Sequence, residues 1–408
     1  MSLNHAQTEA VAHNKGPCMV LAGPGSGKTL TIAKRIEYLI MKHKVRPEEI
    51  LVITFTKYAA WEMKNRTRSI CGPSSYAVTF GTFHGIYYGI LKWAYRLNQS
   101  NLLSDEEKYR ILREILPGID WDQEPEADEE KDYLQELAIE IGNVKNNCMD
   151  IEEYEPVKYT TEKFRKLYRT YEETKKKYRK IDFEDMLIQC RDLFMKRPDI
   201  LKKWQEKFQY ILVDEFQDVN QAQYDVVRML AAPQDNLFVV GDDDQSVYGF
   251  RGAKPGIMME FMKDYPKARQ ILLDVNYRSS GYIVKGALRV IGNNKIRFEK
   301  KIEAFRKPDE TVHVQEVKDP VQEAEYVLER IREYREKGVS YTEMAVLYRT
   351  NVDARAMSEL MTEYQIPFVM KEHLNNIYEH FIAQDISSYF HLSQGEYSRK
   401  YFLQIANR

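Results

Sequence analysis

The sequence predicts an α/β protein built on a parallel sheet, and three observations carry that expectation. The first is a strand, a turn of small residues and a helix in immediate succession. Pro17-Cys18-Met19-Val20-Leu21 is apolar enough for a buried strand, Ala22-Gly23-Pro24-Gly25-Ser26-Gly27-Lys28-Thr29 follows, and Ile32, Ile36, Leu39 and Ile40 then recur at helical spacing. The second is alternation of strand-like and helix-like stretches, which implies parallel strands with crossover helices. The third is that four apolar runs end in polar groups, at Gly23–Thr29, Thr54-Phe55-Thr56, Asp214-Glu215 and Asp242–Gln245. In an open parallel sheet that carboxyl edge is where ligands bind.

Taken in order, Leu3–Gln7 opens a short amphipathic segment before the first strand. Ile50–Thr56 reads as a second buried strand, Ala59–Met63 starts the next helix, and Val78–His84 is a third strand running into a turn. From about Ile86 to Cys190 strand character disappears, and Ser104–Leu116, Asp132–Val144 and Thr161–Lys180 show long charged helical patterns around the acidic loop Gln123–Glu130. This is read as a helical insertion. The basic run Lys175–Lys180 within it has an ordinary reading as a solvated helix face. The sheet resumes at Tyr210–Val213 and Leu237–Val240. A second α/β region starts near Asn276, with strands expected at Val312–Val317, Met344–Tyr348 and Ile366–Met370 and helices at Glu323–Tyr334 and Asp353–Tyr364.

The chain of 408 residues, 43% hydrophobic and 30% charged, has room for about two to three domains. A formal net charge of -2 excludes a broadly basic nucleic-acid binder, so any such partner must be gripped by a local groove. The four cysteines, Cys18, Cys71, Cys148 and Cys190, show no metal-like spacing and fit free thiols in a reducing cytoplasm. No apolar run reaches the ~18 residues of a membrane span, and the N-terminus has no signal-peptide pattern. A cytoplasmic protein without membrane contact is expected.

Gly23–Thr29 has the context of a phosphate-binding P-loop. Glycines let backbone N–H groups converge on anionic oxygens at a helix N-terminus, Lys28 reaches the β- and γ-phosphates, and the Thr29 hydroxyl suits Mg²⁺. Ala22 stands where the strict pattern has glycine. A ligand-free glycine turn is the alternative, and the flanking strand and helix argue against it. Asp214, after three apolar residues, suits the metal, and Glu215 beside it can polarise an attacking water. An Asp-Glu pair after a strand is common by chance and gains its meaning from the P-loop.

Gly23–Thr29, Thr54–Thr56 with Ala59–Met63, Thr82-Phe83-His84, Val213–Asn220, Val240–Ala253 and Asn276-Tyr277-Arg278-Ser279 occur in one order. That series resembles the UvrD/PcrA/Rep-type superfamily 1 DNA helicases, from Leu3 to roughly Tyr389. The resemblance implies a RecA-like ATP-binding domain (1–85 and 191–275), the helical insertion (86–190), a partial second RecA-like lobe (276–390) and the start of a further subdomain or tail (391–408). It implies ATP and Mg²⁺ as cofactors and assigns Lys28, Glu215, Gln245 and Arg278 to catalysis. Gln245 stands as γ-phosphate sensor, and Arg278 as an arginine finger from the second lobe. Gln7 resembles the residue that reads adenine, and Tyr277 the aromatic that stacks on it, beside Ala22, Gly23, Pro24, Gly25, Ser26, Gly27 and the metal-holding Thr29 and Asp214.

For single-stranded DNA the candidates are Phe55, Thr82, Phe83, His84, Tyr248, Phe250 and Arg251, since aromatic stacking grips a strand without reading its sequence. For Phe83 the competing reading is core packing. No second ligand is spaced to make His84 a metal site. The implied activity is a 3′-to-5′ DNA helicase or translocase in repair or replication, acting on single strands or single/double-strand junctions with possible repair or replication proteins as partners. Departures are Lys57-Tyr58, where the family carries Asn-Lys, Phe250 for Trp, and the family's later motifs, with a second arginine finger, which are expected to be missing. Two alternatives stand beside the helicase: an ATP-gated DNA-binding or regulatory module that cannot unwind alone, and the motor part of a helicase–nuclease complex.

Overall fold

The computed structural model describes residues 3–119, 130–246, 254, 256–295, 297–307, 311–350, 352–371 and 381–406. Contacts divide the chain into two compact units, Met1–Val312 and His313–Arg408.

The first unit is organised by a six-stranded sheet of β1 (Cys18–Ala22), β2 (Ile50–Thr54), β3 (Thr79–Thr82), β4 (Tyr210–Val213), β5 (Leu237–Gly241) and β6 (Arg269–Leu273). Its order is β3-β2-β4-β5-β1-β6 and every pairing is parallel. Parallel strands need helices on both faces, so the central strands read as unbroken apolar runs, and β1, β2, β4 and β5 are buried along their whole length. Two apolar cores flank the sheet. One holds Ile32, Ile36 and Leu39 of helix Lys28–Met41, and the other holds Tyr87 and Ile90 of helix Phe83–Tyr95 with Val226 and Leu230.

The insertion forms as expected, with helices at Asp105–Ile115, Glu130–Asn146 and Thr161–Lys177 around a core of their own that includes Leu112, Leu137, Ile141, Phe164 and Leu167. The expected acidic loop lies, up to residue 129, outside the described residues. A buried charge cluster ties the insertion to the sheet domain. Lys145 and Lys175 each bond Asp182 and Asp185, the latter at the start of helix Asp185–Lys196. The basic run is therefore not uniformly solvated, because Lys175 is a core residue.

Three strands of this unit were not expected. β6 is an edge strand that opens on the exposed Arg269 and Gln270, so it lacks the apolar run of its neighbours. Beyond it, β7 (Val275–Ser280) pairs with β8 (Glu303–Arg306) in a separate two-stranded sheet. The Tyr277 N–H donates to the Gly25 carbonyl at 3.0 Å. Residues 276–312, expected with the second lobe, thus group with the first unit.

In the second unit, helices Pro320–Glu336 and Ala354–Glu363 pack through Leu328, Ile331 and Met361 with Ile366, and helices Phe381–Ser393 and Arg399–Ala406 follow. The strands expected at 312–317, 344–348 and 366–370 are not formed. Val314, Leu347 and Val369 are each more than nine-tenths exposed. A strand needs neighbours for its N–H and C=O groups, and among the described residues these segments have no ladder partner. No described helix is long and apolar enough to cross a membrane, and all four cysteines are free.

Candidate nucleotide site and strand-contact edge

The P-loop joins β1 to helix Lys28–Met41. Ala22 closes β1 in register with Leu273, an extended position where alanine meets no backbone restriction. Gly25 and Gly27 have φ of 68° and 85°, conformations that favour glycine. A Cβ at Gly25 would also lie 2.6 Å from Arg278 Cβ, and one at Gly27 would lie 2.8 Å from Gln7 Nε2. The buried Ser26 hydroxyl donates to the Gly23 carbonyl at 2.7 Å, Pro24 is exposed at the turn, and Thr29 is part-buried in the first helical turn.

Lys28 Nζ sits 2.9 Å from Glu215 Oε2, which joins the end of β1 to the end of β4. Glu215 adopts φ 52°, ψ 46°, a left-handed conformation that costs a non-glycine residue on the order of 1–3 kcal/mol. The amide of Gln217 donates to the same carboxylate oxygen at 2.9 Å. Burial pushes the Glu215 carboxyl up, but the Lys28 charge and the two hydrogen bonds outweigh it and hold the group below its ordinary value. Asp214 behaves in the opposite way. Burial first, then the neighbouring Glu215 charge, raise its carboxyl to about 7, against a partial offset from Lys28. A buried carboxylate with a raised affinity for its proton and the part-buried Thr29 hydroxyl in the first turn of the P-loop helix are hard oxygen donors of the kind that fit a magnesium ion.

At the end of β5, Gln245 Nε2 donates to Asp242 Oδ2 at 2.6 Å. The other oxygen of Asp242 accepts from Lys300 at 2.5 Å, and Lys300 also pairs with Asp243 and Asp244 at 2.5 and 2.7 Å. Arg297 adds a bidentate contact to Asp244. Two cations thus lock the aspartate triplet in place, with one carboxylate charge left over. Lys300 and Arg297 had no signal in the sequence, because their partners stand more than fifty residues upstream and no motif surrounds them.

Gln7 is buried, accepts the Asn4 N–H and donates to the Ser26 carbonyl at 2.9 Å. Each end of its amide keeps one further hydrogen-bonding valence. Asn4 donates to the Tyr277 hydroxyl at 2.9 Å, and the Tyr277 ring packs on Phe305 with centroids 5.1 Å apart. Arg278 is exposed beside Gly25, its N–H held by Asn276. The structure thus gathers Gln7, Lys28, Glu215, Tyr277 and Arg278 around one loop within a single unit.

The carboxyl ends of β2 and β3 form the neighbouring edge, with Thr54 and Thr82 in register. Phe55 is part-buried, and Thr82 caps helix Phe83–Tyr95 by accepting from the Gly85 N–H. Phe83 corrects the expectation. It is 2% exposed and packs edge-on against Tyr87 in the core, so it presents no ring face. His84 is covered by Phe183, with centroids 3.7 Å apart and planes at 22°, and burial pulls its imidazole down to about 4. The exposed face of this pair belongs to Phe183, which is 55% exposed. Its neighbours Asp182 and Glu184 are pinned by Lys145, Lys175 and Lys108. Phe183 was missed because it looks like one apolar residue in an acidic helix start. Tyr248, Phe250 and Arg251 lie outside the described residues.

Residues 3–266 match the UvrD/REP helicase N-terminal domain and residues 271–408 the UvrD-like helicase C-terminal domain, so the likeness runs past Tyr389 to residue 408. The Bacillus subtilis protein YjcD is 38% identical over 407 residues, covering 97% of this chain and 52% of its own. The ATP-dependent DNA helicase PcrA of Staphylococcus aureus is 35% identical over 376 residues, covering 90% and 50%. The PcrA of Staphylococcus epidermidis is likewise 35% identical, covering 90% and 51%. The chain spans about half the length of these relatives.

Proposed function

Because the chain belongs to the UvrD/REP helicase family, we propose that it is the ATP-hydrolysing motor portion of a cytoplasmic DNA helicase that works on single-stranded DNA. The observation that carries this reading is the Lys28–Glu215 pair at the P-loop mouth, with the uncompensated Asp214 beside it. Triphosphate oxygens compete for the Lys28 ammonium and draw it into the cradle of P-loop N–H groups. Glu215 then loses its counter-ion while still ionised and stands free to orient and deprotonate a water. Thr29 and Asp214 are the groups that would hold magnesium, which supplies charge neutralisation at the phosphate oxygens. Gln245, fixed through Asp242, reads the γ-phosphate, Arg278 contributes a cation at the loop mouth, and Gln7 and Tyr277 hold the base. The strand runs over Phe55, Thr82 and Phe183, where stacking is sequence-tolerant, and Tyr248, Phe250 and Arg251 keep the strand-binding role that their motif implies. Translocation runs 3′ to 5′, as in the family.

A second reading, an ATP-gated DNA-binding module that does not unwind alone, is favoured by the second unit, where three apolar segments have no ladder partner among the described residues. Steady-state ATPase with and without single-stranded DNA, beside an unwinding assay, separates the two. Strong stimulation with unwinding supports the helicase, and stimulation without unwinding supports the module. Lys28→Ala is the blank. Glu215→Gln should keep ATP binding and lose about 10²- to 10⁴-fold in turnover. Turnover near wild type in that variant would remove Glu215 as the base.

A further inference from the structure

Helix Lys57–Cys71 leaves the carboxyl end of β2 directly after Phe55, with Thr56 as its N-cap. Its inner face is buried through Ala60, Met63, Thr67 and Cys71. On the outer face Tyr58 is 70% exposed and Trp61 is 59% exposed, one turn apart, with ring centroids 5.9 Å apart and planes tilted by 34°. Two large aromatics presented side by side to solvent on a helix leave most of their apolar area open to a ligand. The same helix carries Lys57, Lys64, Arg66 and Arg68 against one acidic residue, Glu62. Lys57 and Lys64 flank Trp61 at helical spacing, and further along Arg68 stacks over the exposed Tyr76 at 4.8 Å. Aromatic faces bracketed by cations suit an anionic backbone with bases to stack, and the stripe continues the edge formed by Phe55 and Thr82.

We propose that Tyr58 and Trp61 form an additional stacking subsite for single-stranded nucleic acid, extending the strand path from Phe55 along the outer face of this helix. The subsite rests on the single-strand reading given above.

The test is titration of a fluorescent oligothymidylate, and of an abasic strand with the same phosphates, against wild type and the Tyr58→Ala/Trp61→Ala pair. The pair should weaken oligothymidylate binding about tenfold or more while leaving the salt slope and abasic binding unchanged, because phosphate contacts are untouched. Tyr58→Phe/Trp61→Phe should restore binding. The tryptophan emission lost in Trp61→Phe should be the part quenched by the strand in wild type. Unchanged oligothymidylate affinity, or an equal loss on the abasic strand, would overturn the subsite and leave the face as a protein contact. Failure of wild type to bind any single strand would overturn the single-strand reading as well.

Discussion

The nucleotide loop and the strand-contact edge lie at carboxyl ends of the same sheet, yet they are built on opposite principles. Around the loop the polar side chains are fixed in pairs, Lys28 with Glu215, Gln245 with Asp242, and Lys300 with three aspartates, and Asp214 alone is left with a raised carboxyl. Along the edge the candidate groups are rings that touch other rings, Phe183 on His84 and Tyr58 beside Trp61, with their outer faces open. Phosphoryl chemistry needs fixed charges placed before substrate arrives, because reorganising them during the reaction costs rate. A strand that must slide needs contacts that every base satisfies equally, and ring faces provide that. The first region therefore stores its function in ion pairs and the second in surface shape.

Lys300→Met should separate the two regions most sharply. Its ammonium has no exposed side-chain surface and is the shared partner of Asp242, Asp243 and Asp244. Removing it leaves buried carboxylates uncompensated, which costs about 3–5 kcal/mol of stability. Chemical denaturation should show that loss. Lys300→Arg should recover most of the stability but shift Asp242, and with it Gln245, so that turnover falls while ATP affinity holds. Single-strand affinity without nucleotide should stay near wild type in the arginine variant. A parallel fall in strand binding would mean the regions share one framework and would break the comparison.

The same contrast explains what the sequence could disclose. β1, β2, β4 and β5 were legible because strands covered on both faces must be apolar throughout, and the P-loop was legible because its glycines answer to backbone geometry. β6 was not, since an edge strand opening on Arg269 and Gln270 carries half the signal. The insertion helices were found to within three residues at each end, as the Ser104 N-cap and the apolar periodicity are local features. The Lys300 lock was invisible because it is a purely tertiary pairing. Phe83 misled because a phenylalanine after a strand end serves equally as a stacking ring or a core residue, and only its 2% exposure decides. Apolar runs at 344–348 and 366–370 misled in the other direction, since strand propensity without a neighbouring strand forms no ladder.

The edge has its own titration signature. Burial beneath Phe183 lowers the His84 imidazole from 6.5 to about 4. As pH falls below about 6.5 the unfolded chain takes up a proton that the folded chain refuses, so stability is fully present above that value and declines as pH drops toward 4. The decline attributable to this group is on the order of 2–3 kcal/mol. Unfolding midpoints measured from neutral to mildly acid pH should fall less steeply in His84→Gln than in wild type. Identical slopes would mean that the ring is hydrated and that the stack does not shield it.

Phe183→Ala gives the smallest of these effects and the most direct view of the edge. The ring is exposed on one face, supported by His84 on the other, and held at both flanks by ion pairs to Lys108, Lys145 and Lys175. Little rotational entropy remains to be lost when a base stacks on it, so the contact should deliver close to its full value. One stacked base is worth about 1–3 kcal/mol, and a ring that offers a single face belongs at the lower end, about tenfold in single-strand affinity. Phe183→Trp should hold or strengthen binding, whereas Phe183→Leu, equally apolar but without a π-face, should behave like alanine. If leucine instead matched wild type, the edge would be gripping the strand by apolar burial rather than by stacking, and the contrast with the ion-paired nucleotide loop would narrow to one of polarity alone.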